Sequence, residues 1–386
     1  MAQGTIEDPM TIDEALVSSR IKPGHTVWLR GGTYSGDFNA ALQGTAEAPI
    51  VIRNYPGELA IIDGGMALNG THIHWIGSHK TGEGIRFRFT GWNKRITDIA
   101  GITEDVTHRA LEIYGEGCSA INCVMDNLFE IGMWKMVGAA SFYGNVVYNF
   151  GWLGPERGHG PGLYTQNNTP RRTIKHNVFL NSFGSGIQAY GSSAAFVNYF
   201  DVIGNTFYGS YRNINCLVGG GSVALAPVVS GNNLFDGGGI RIGYTASATD
   251  VTYTDNYSPE GGSLNVSNFL ERADNWTGPA PHPPRATLYP NEYEDGIALL
   301  TVYNWAELDT MTVDVSGWAA AGNTLRLRST QDYENDIADV TVAGDGTVAV
   351  DMRAVSHSLA VPLLWTGEGW PVNAFPVFGC FIVEKL

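Results

Sequence analysis

Through the middle of the chain, apolar and polar residues alternate in short runs that are closed by Gly, Asn or Pro, the pattern of short half-buried strands between tight turns. One motif recurs, an Asn flanked by apolar residues at period-two spacing. It reads Ile121-Asn122-Cys123-Val124, Tyr143-Gly144-Asn145-Val146, Lys175-His176-Asn177-Val178, Ile203-Gly204-Asn205-Thr206, Ser230-Gly231-Asn232-Asn233 and Thr254-Asp255-Asn256-Tyr257. The Asn-to-Asn steps of 23, 32, 28, 27 and 24 residues suit one coil of three short strands and three turns.

A second ladder keeps the same phase. Alternation places Leu111, Met133, Leu163, Ile187, Ile214 and Ile240 inside, so that Glu112, Trp134, Tyr164, Gln188, Asn215 and Arg241 face out. Gln166 and Tyr190 fall in the next outward column. Two ladders in register predict a right-handed parallel β-helix over residues 1–276. Thr11-Ile12-Asp13-Glu14 is a capping box that opens a short helix to about residue 20, a cover for the open end of the coil stack. Strands are expected at residues 25–30, 50–55 and 72–76. The Pro-rich stretch 277–285 reads as a linker. The short alternating runs after it predict a small β-sandwich over 286–386, with a role in solubility, in shielding the last coil or in sugar binding.

Composition and charge narrow the function classes. With 49 Gly, 44% hydrophobic and 16% charged residues, the chain has many tight corners and a polar rather than ionic surface. A net charge of −15 argues against a nucleic-acid partner. Residues 130–215 are the exception, with 6 Lys/Arg against 3 Asp/Glu, which suits an anionic ligand there. Cys118, Cys123, Cys216 and Cys380 fit neither a zinc site nor a redox pair and read as buried thiols. No apolar run is long enough to span a membrane.

The longest coil, from Asn145 to Asn177, holds an insertion at residues 151–161 that gathers Glu156, Arg157 and His159 beside Tyr164 and Gln166. Together with the outward stripe, in which rings alternate with amide and guanidinium groups, it predicts a sugar-binding groove. Substrate-binding candidates are Trp134, Lys135, Gln166, Gln188, Tyr190, Asn215 and Arg241. Two cleavage chemistries fit. Hydrolysis takes two carboxyls across the bond, here Glu156 with Glu112, Asp126 or Glu130. β-Elimination on a uronate takes a cation, Arg157 or Arg241, and a base, His159, Tyr164 or Lys135, with Glu156 orienting His159. The locally positive charge favours elimination. Nothing in the spacing calls for a metal; calcium between a coil turn and a substrate carboxylate is the one cofactor compatible with the chemistry.

Segments 22–34, Lys-Pro-Gly-His-Thr-Val-Trp-Leu-Arg-Gly-Gly-Thr-Tyr, and 49–58, Pro-Ile-Val-Ile-Arg-Asn-Tyr-Pro-Gly-Glu, followed by Ile62-Asp63-Gly64, resemble the first coils of the pectate-lyase-like β-helix superfamily. Residues 156–167 are similar to a stretch in uncharacterised members, with Pro161 standing where a second His is expected. The resemblance implies the fold and a carbohydrate substrate. It does not choose among lyases, hydrolases, epimerases and phage tailspikes. The polygalacturonase and epimerase signatures are absent, and no recognisable lyase Lys/Arg pattern stands on neighbouring coils. The expected protein is thus an extracellular or periplasmic monomer that cleaves a polysaccharide, with non-catalytic glycan binding as the competing reading.

Overall fold

The computed structural model describes residues 3–90, 111–154, 157–210, 214–236, 238–259, 262–264, 282–363 and 371–386. The chain winds as a right-handed parallel β-helix with three faces, the hand taken when right-twisted strands are joined in parallel. The first sheet has nine parallel strands, from Thr26–Leu29 and Ile50–Asn54 through Ser141–Tyr143 and Arg172–Lys175 to Thr252–Thr254. The second sheet runs through Gly84–Arg88, Val124–Asp126, Val146–Phe150, Val178–Ser182, Thr206–Tyr208 and Asn233–Phe235. The third runs through Leu111–Ile113, Ile131–Met133, Leu163–Thr165, Ile187–Gly191, Ile214–Gly220 and Gly239–Ile242. In the early coils the long strands Gly32–Ala40 and Leu59–Leu68 span both the second and the third face.

Alternation drives the inward residues into one continuous core, with Ile52, Trp75, Leu111, Phe142, Leu163, Ile187 and Ile240 each fully buried. At its open end the core meets Ile12, Ala15 and Leu16 of the capping helix, Ile12–Leu16. That helix is shorter than the sequence predicts and stops at Val17, but it carries the expected capping box. All four thiols are buried and unpaired.

The turn from the first to the second sheet is built on buried asparagines. The Asn145 amide N–H donates to Asn177 Oδ1 at 2.9 Å, and Asn177 repeats this to Asn205, Asn205 to Asn232 and Asn232 to Asn256. Each Nδ2 also donates to a carbonyl of the strand before it, as Asn177 does to Phe142 O at 2.8 Å. The first member expected from the sequence is out of register by one. Val146 pairs with Val124, so Cys123 occupies the ladder slot and its N–H donates to Asn145 Oδ1. Asn122 instead stands with Gly144, His176, Gly204, Gly231 and Asp255 in the position just before the ladder, where every residue has positive φ, from 51° to 66°. That backbone requirement explains why Gly, Asn, Asp or His recurs there.

After the helix, Arg285–Pro290, Ile297–Tyr303, Phe378–Lys385, Thr324–Ser329 and Ile337–Thr341 form a five-stranded antiparallel sheet. It faces the pair Thr310–Asp314 and Thr347–Asp351 across a core that includes Leu300, Leu325, Val348 and Phe381, the sandwich the sequence predicts. Its strand Arg285–Pro290 begins within the stretch read as linker, while residues 277–281 of that stretch lie outside the described residues. Its other face packs Ile297, Leu299, Tyr303 and Ile382 onto Val146, Tyr148, Val178 and Tyr208, the outer face of the second sheet. The sandwich therefore lies along a flank of the coils and covers the second face, leaving the third uncovered by it.

The ladder predicts a large cost for one substitution. Asn177→Ala strands the Asn145 amide groups and the Phe142 carbonyl in a dry turn, and each such group costs about 1–3 kcal/mol. Urea unfolding should show a loss of about 3 kcal/mol or more; a loss below about 0.5 kcal/mol would contradict this role for the ladder.

Candidate active site

Strand register on the third sheet decides which predicted residues meet. Glu112 pairs with Gly132, Gly132 with Tyr164, Tyr164 with Gln188, Gln188 with Leu217 and Leu217 with Arg241. This outward row retains Glu112, Tyr164, Gln188 and Arg241 of the expected stripe and corrects two of its members. Trp134 lies two residues beyond its slot, because Gly132 rather than Trp134 stands opposite Glu112. Asn215 sits in a register shift between Ile214 and Cys216, is 1% exposed and donates to Gly238 O at 2.7 Å. Cys216, not Ile214, then takes the inward slot beside Ile187, and Leu217 takes the outward one. A one-residue bulge reverses the face of every later residue in its strand, and the period-two pattern alone does not reveal it.

The displaced Trp134 falls in a neighbouring row with Tyr114, Gln166 and Tyr190. Gly132 makes this geometry available. A Cβ there would collide with Trp134 Nε1 and Glu112 Oε2, so the bare position is where the indole folds over and donates its N–H to Glu112. The Tyr114 hydroxyl is a second hydrogen-bond partner of Glu112. The Trp134 and Tyr164 rings meet edge-on at 4.9 Å, Tyr164 bonds to Gln188, and Tyr190 meets Tyr244 at 6.1 Å.

The chemically distinctive feature is a pair of carboxyls. Burial pushes Glu112 up to about 7, against the pull of its bonds to Trp134 and Tyr114. Burial, and next the Glu112 charge, push Glu130 up to about 7 as well. No donor among the described residues reaches the Glu130 carboxyl, whereas Glu112 has two. Its two donors favour the anion at Glu112, whereas the Glu112 charge opposes the anion at Glu130. Tyr164 and Tyr114 are held above the usual phenol range, first by burial and then by neighbours that include this pair.

Arg172 holds the floor of this region. It is 2% exposed and donates to Met133 O at 3.2 Å, Thr165 Oγ1 at 3.1 Å and Gln166 O at 2.6 Å, and also to Lys135 O. It thereby ties together the strand ends that carry Trp134, Lys135 and Gln166. Lys135 itself is exposed. The insertion forms a two-stranded ribbon, Trp152–Leu153 with Gly158–His159, at the corner where the third sheet begins. His159 stacks on Trp152 at 4.0 Å, and Trp152 on Phe129, the residue before Glu130. Arg157 is exposed in the same ribbon, and Glu156 lies outside the described residues. Asp126, a candidate for hydrolysis, is removed from the site. It is 1% exposed on the second sheet, bonded to Arg88 at 2.9 Å and 3.6 Å from Arg86.

Sequence reasoning named Glu112 and Glu130 only as alternative partners of Glu156, did not pair them with each other, and missed Tyr114, although Glu130 and Tyr114 lie an even number of residues from outward positions in their own strands. For a metal, the described residues hold no group of three or more His, Cys, Asp or Glu side chains. Glu112 and Glu130 offer two carboxyls, short of the roughly six to eight oxygens that calcium gathers.

No family model matches the chain. Over 65 residues it is 45% identical to pectate lyase PEL9 of Emericella nidulans, a stretch that is 16% of each protein. The chain therefore matches only about a sixth of that curated relative. Among solved structures, the chain is 17% identical to a mannuronic acid specific polysaccharide family 6 lyase from human gut microbiota, with TM-score 0.34 over 66% of this chain and 74% of that one. It is 13% identical to pectate lyase Pel9A, with TM-score 0.31 over 65% and 75%. It is 11% identical to the tailspike gp49 of Acinetobacter baumannii bacteriophage Fri1, a capsular polysaccharide depolymerase, with TM-score 0.19 over 93% and 79%. Likeness at this level carries nothing about reaction or substrate.

The carboxyl pair makes stability depend on pH with a definite sign. The folded chain keeps protons on Glu112 and Glu130 up to about 7, while the unfolded chain releases them near 4.5. Their contribution is complete below the lower value and is lost as pH rises through the upper one. Urea midpoints at about pH 5 and about pH 8 should fall further in the native protein than in the Glu112→Gln/Glu130→Gln double variant. An equal fall in both would contradict the raised pair.

Proposed function

We propose that the protein is a polysaccharide lyase that cleaves a uronate-containing glycan on the outer face of its third sheet. The observation that carries this reading is the Glu112–Glu130 pair, near neutrality in pKa, set among the rings of Trp134 and Tyr164. Sugar rings stack on such aromatics, and a carboxyl poised near neutral pH suits general acid–base work. The stretch shared with a pectate lyase supports the same class of reaction.

In this account Glu130, protonated, donates a hydrogen bond to the uronate carboxylate and draws charge away from C5. Lys135, exposed at the strand end, adds positive charge. Glu112 takes the C5 proton, the C5–H electron pair becomes the C4–C5 double bond, and the C4–O bond breaks. The departing oxygen takes a proton from the Tyr164 or Tyr114 hydroxyl, which solvent then restores. Gln188, Gln166, Tyr190 and Arg241 bind sugar rings along the rows, while Arg157 and His159 of the ribbon close one side. Asn215, being buried, has no part. The protein works as a monomer outside the cytoplasm, where its polymeric substrate is found; no helix among the described residues is long and apolar enough to cross a membrane.

A second reading, hydrolysis, rests on the unequal donors around the pair: Glu130 as acid and Glu112 as base or nucleophile. The two reactions give different products. Incubation with uronate-rich and neutral glycans should yield fragments whose ultraviolet absorbance reports the new double bond. Glu112→Gln and Glu130→Gln should each lower the rate by about 10²–10⁴-fold. New reducing ends without that absorbance would replace elimination by hydrolysis, and full activity in both variants would remove the pair from the chemistry. Binding of glycans without any cleavage would leave a glycan-binding protein.

A further inference from the structure

The N-terminal end of the coil stack carries a cavity of about 610 Å³ that shares no lining residue with the carboxyl pair. Its floor is the capping helix and the inward residues of the first strand, including Ile12, Ala15 and Leu29, and residues 3–6 and 9–11 form one wall. The opposite wall is a set of rings and cations. Trp28 is 46% exposed and meets Tyr55 edge-on at 6.1 Å. The Arg53 guanidinium lies 5.4 Å over Trp28, and that of Arg30 lies 5.0 Å over Tyr55. Glu58 grips Arg30 in a two-pronged ion pair at 2.7–3.1 Å, and the Tyr34 hydroxyl donates to Arg30 O at 2.8 Å, so the wall is held in place before any ligand arrives.

The charged groups that line this cavity are basic although the protein is acidic. The whole chain carries −15, yet Arg20, Arg30 and His25 line the cavity, Arg30 with its charge offset by Glu58 and Arg20 at the wall across from it. An exposed indole beside a phenol presents a face for the C–H side of a pyranose, and guanidinium groups at its edge suit a carboxylate. The volume falls in the range of sites that hold a small ligand.

We propose that this cavity binds an acidic sugar, one or a few uronate rings stacked on Trp28 with the carboxylate toward Arg20, as a site separate from the third-sheet groove. It does not depend on the cleavage reaction. If the protein is a lyase, the cavity holds a second part of the same class of polymer; if it is not, the cavity still binds the acidic sugar.

The test uses the full chain carrying Glu112→Gln, so that the probe is not consumed, with trigalacturonate and its methyl ester, which keeps the rings and loses the charge. Calorimetry should show trigalacturonate binding that Trp28→Ala weakens about tenfold, the loss of one ring-stacking contact. Arg20→Gln should weaken it also, added salt should weaken it further, and the methyl ester should bind poorly. In the chain with Glu112 intact, Trp28→Ala should leave cleavage of short oligomers unchanged. Trigalacturonate binding that is indifferent to both Trp28→Ala and Arg20→Gln would overturn the site. Equal binding of the methyl ester would overturn the acidic-sugar assignment. Loss of cleavage in Glu112→Gln bears only on the third-sheet reading, so the two proposals fail separately.

Discussion

The buried amide chain from Asn145 to Asn256 is the constraint on which the rest of the coil stack depends. A turn in which one strand ends and the chain bends into the next sheet leaves backbone groups without ladder partners, and in a dry interior these must be paired. Each asparagine takes the N–H of the coil before it and gives its own Nδ2 to a carbonyl there, as Asn177 does with Asn145 and Phe142. Coils joined in this way can stack only in one register. That register in turn places every outward side chain of the third sheet, so the position of Glu112 relative to Tyr164 follows from turns on the far side of the core.

Within that frame the site comes from departures from regularity. Gly132 interrupts the outward row and gives Trp134 room to lie back over Glu112. The 32-residue step between Asn145 and Asn177 has space for the Trp152–His159 ribbon beside Phe129 and Glu130. Arg172, buried without a carboxylate partner among the described residues, spends its donors on the carbonyls of Met133, Lys135 and Gln166 and fixes the ends of two strands. Burial of two neighbouring carboxyls results from these arrangements and accounts for their raised pKa values. The sandwich covers the second face, as Ile297 and Leu299 pack on Val146 and Val178, and leaves the third uncovered by it.

Much of the fold was legible in the sequence because its physics is local and repeated: a positive-φ residue followed by Asn, then an alternating strand. The same logic placed Glu112, Tyr164, Gln188 and Arg241 in one row. It failed where a single residue is gained or lost. The bulge at Ile214–Cys216 turned Asn215 inward, and the first ladder slot went to Cys123 rather than Asn122. The pairing of Glu112 with Glu130 was less visible still, since it depends on how two chain segments 18 residues apart approach across a turn. Asp126 had the same claim by residue type and ended on another face, neutralised by Arg86 and Arg88.

The central claim is that burial holds both Glu112 and Glu130 near neutrality on the third sheet. Carbon-13 NMR of protein labelled at the Glu carboxyl carbons measures this directly as pH is varied. The account predicts two resonances that titrate near 7, with the Glu130 resonance moving to lower pH when Glu112→Gln removes the neighbouring charge. If no glutamate titrated near 7 and that substitution changed no other resonance, the account would be contradicted.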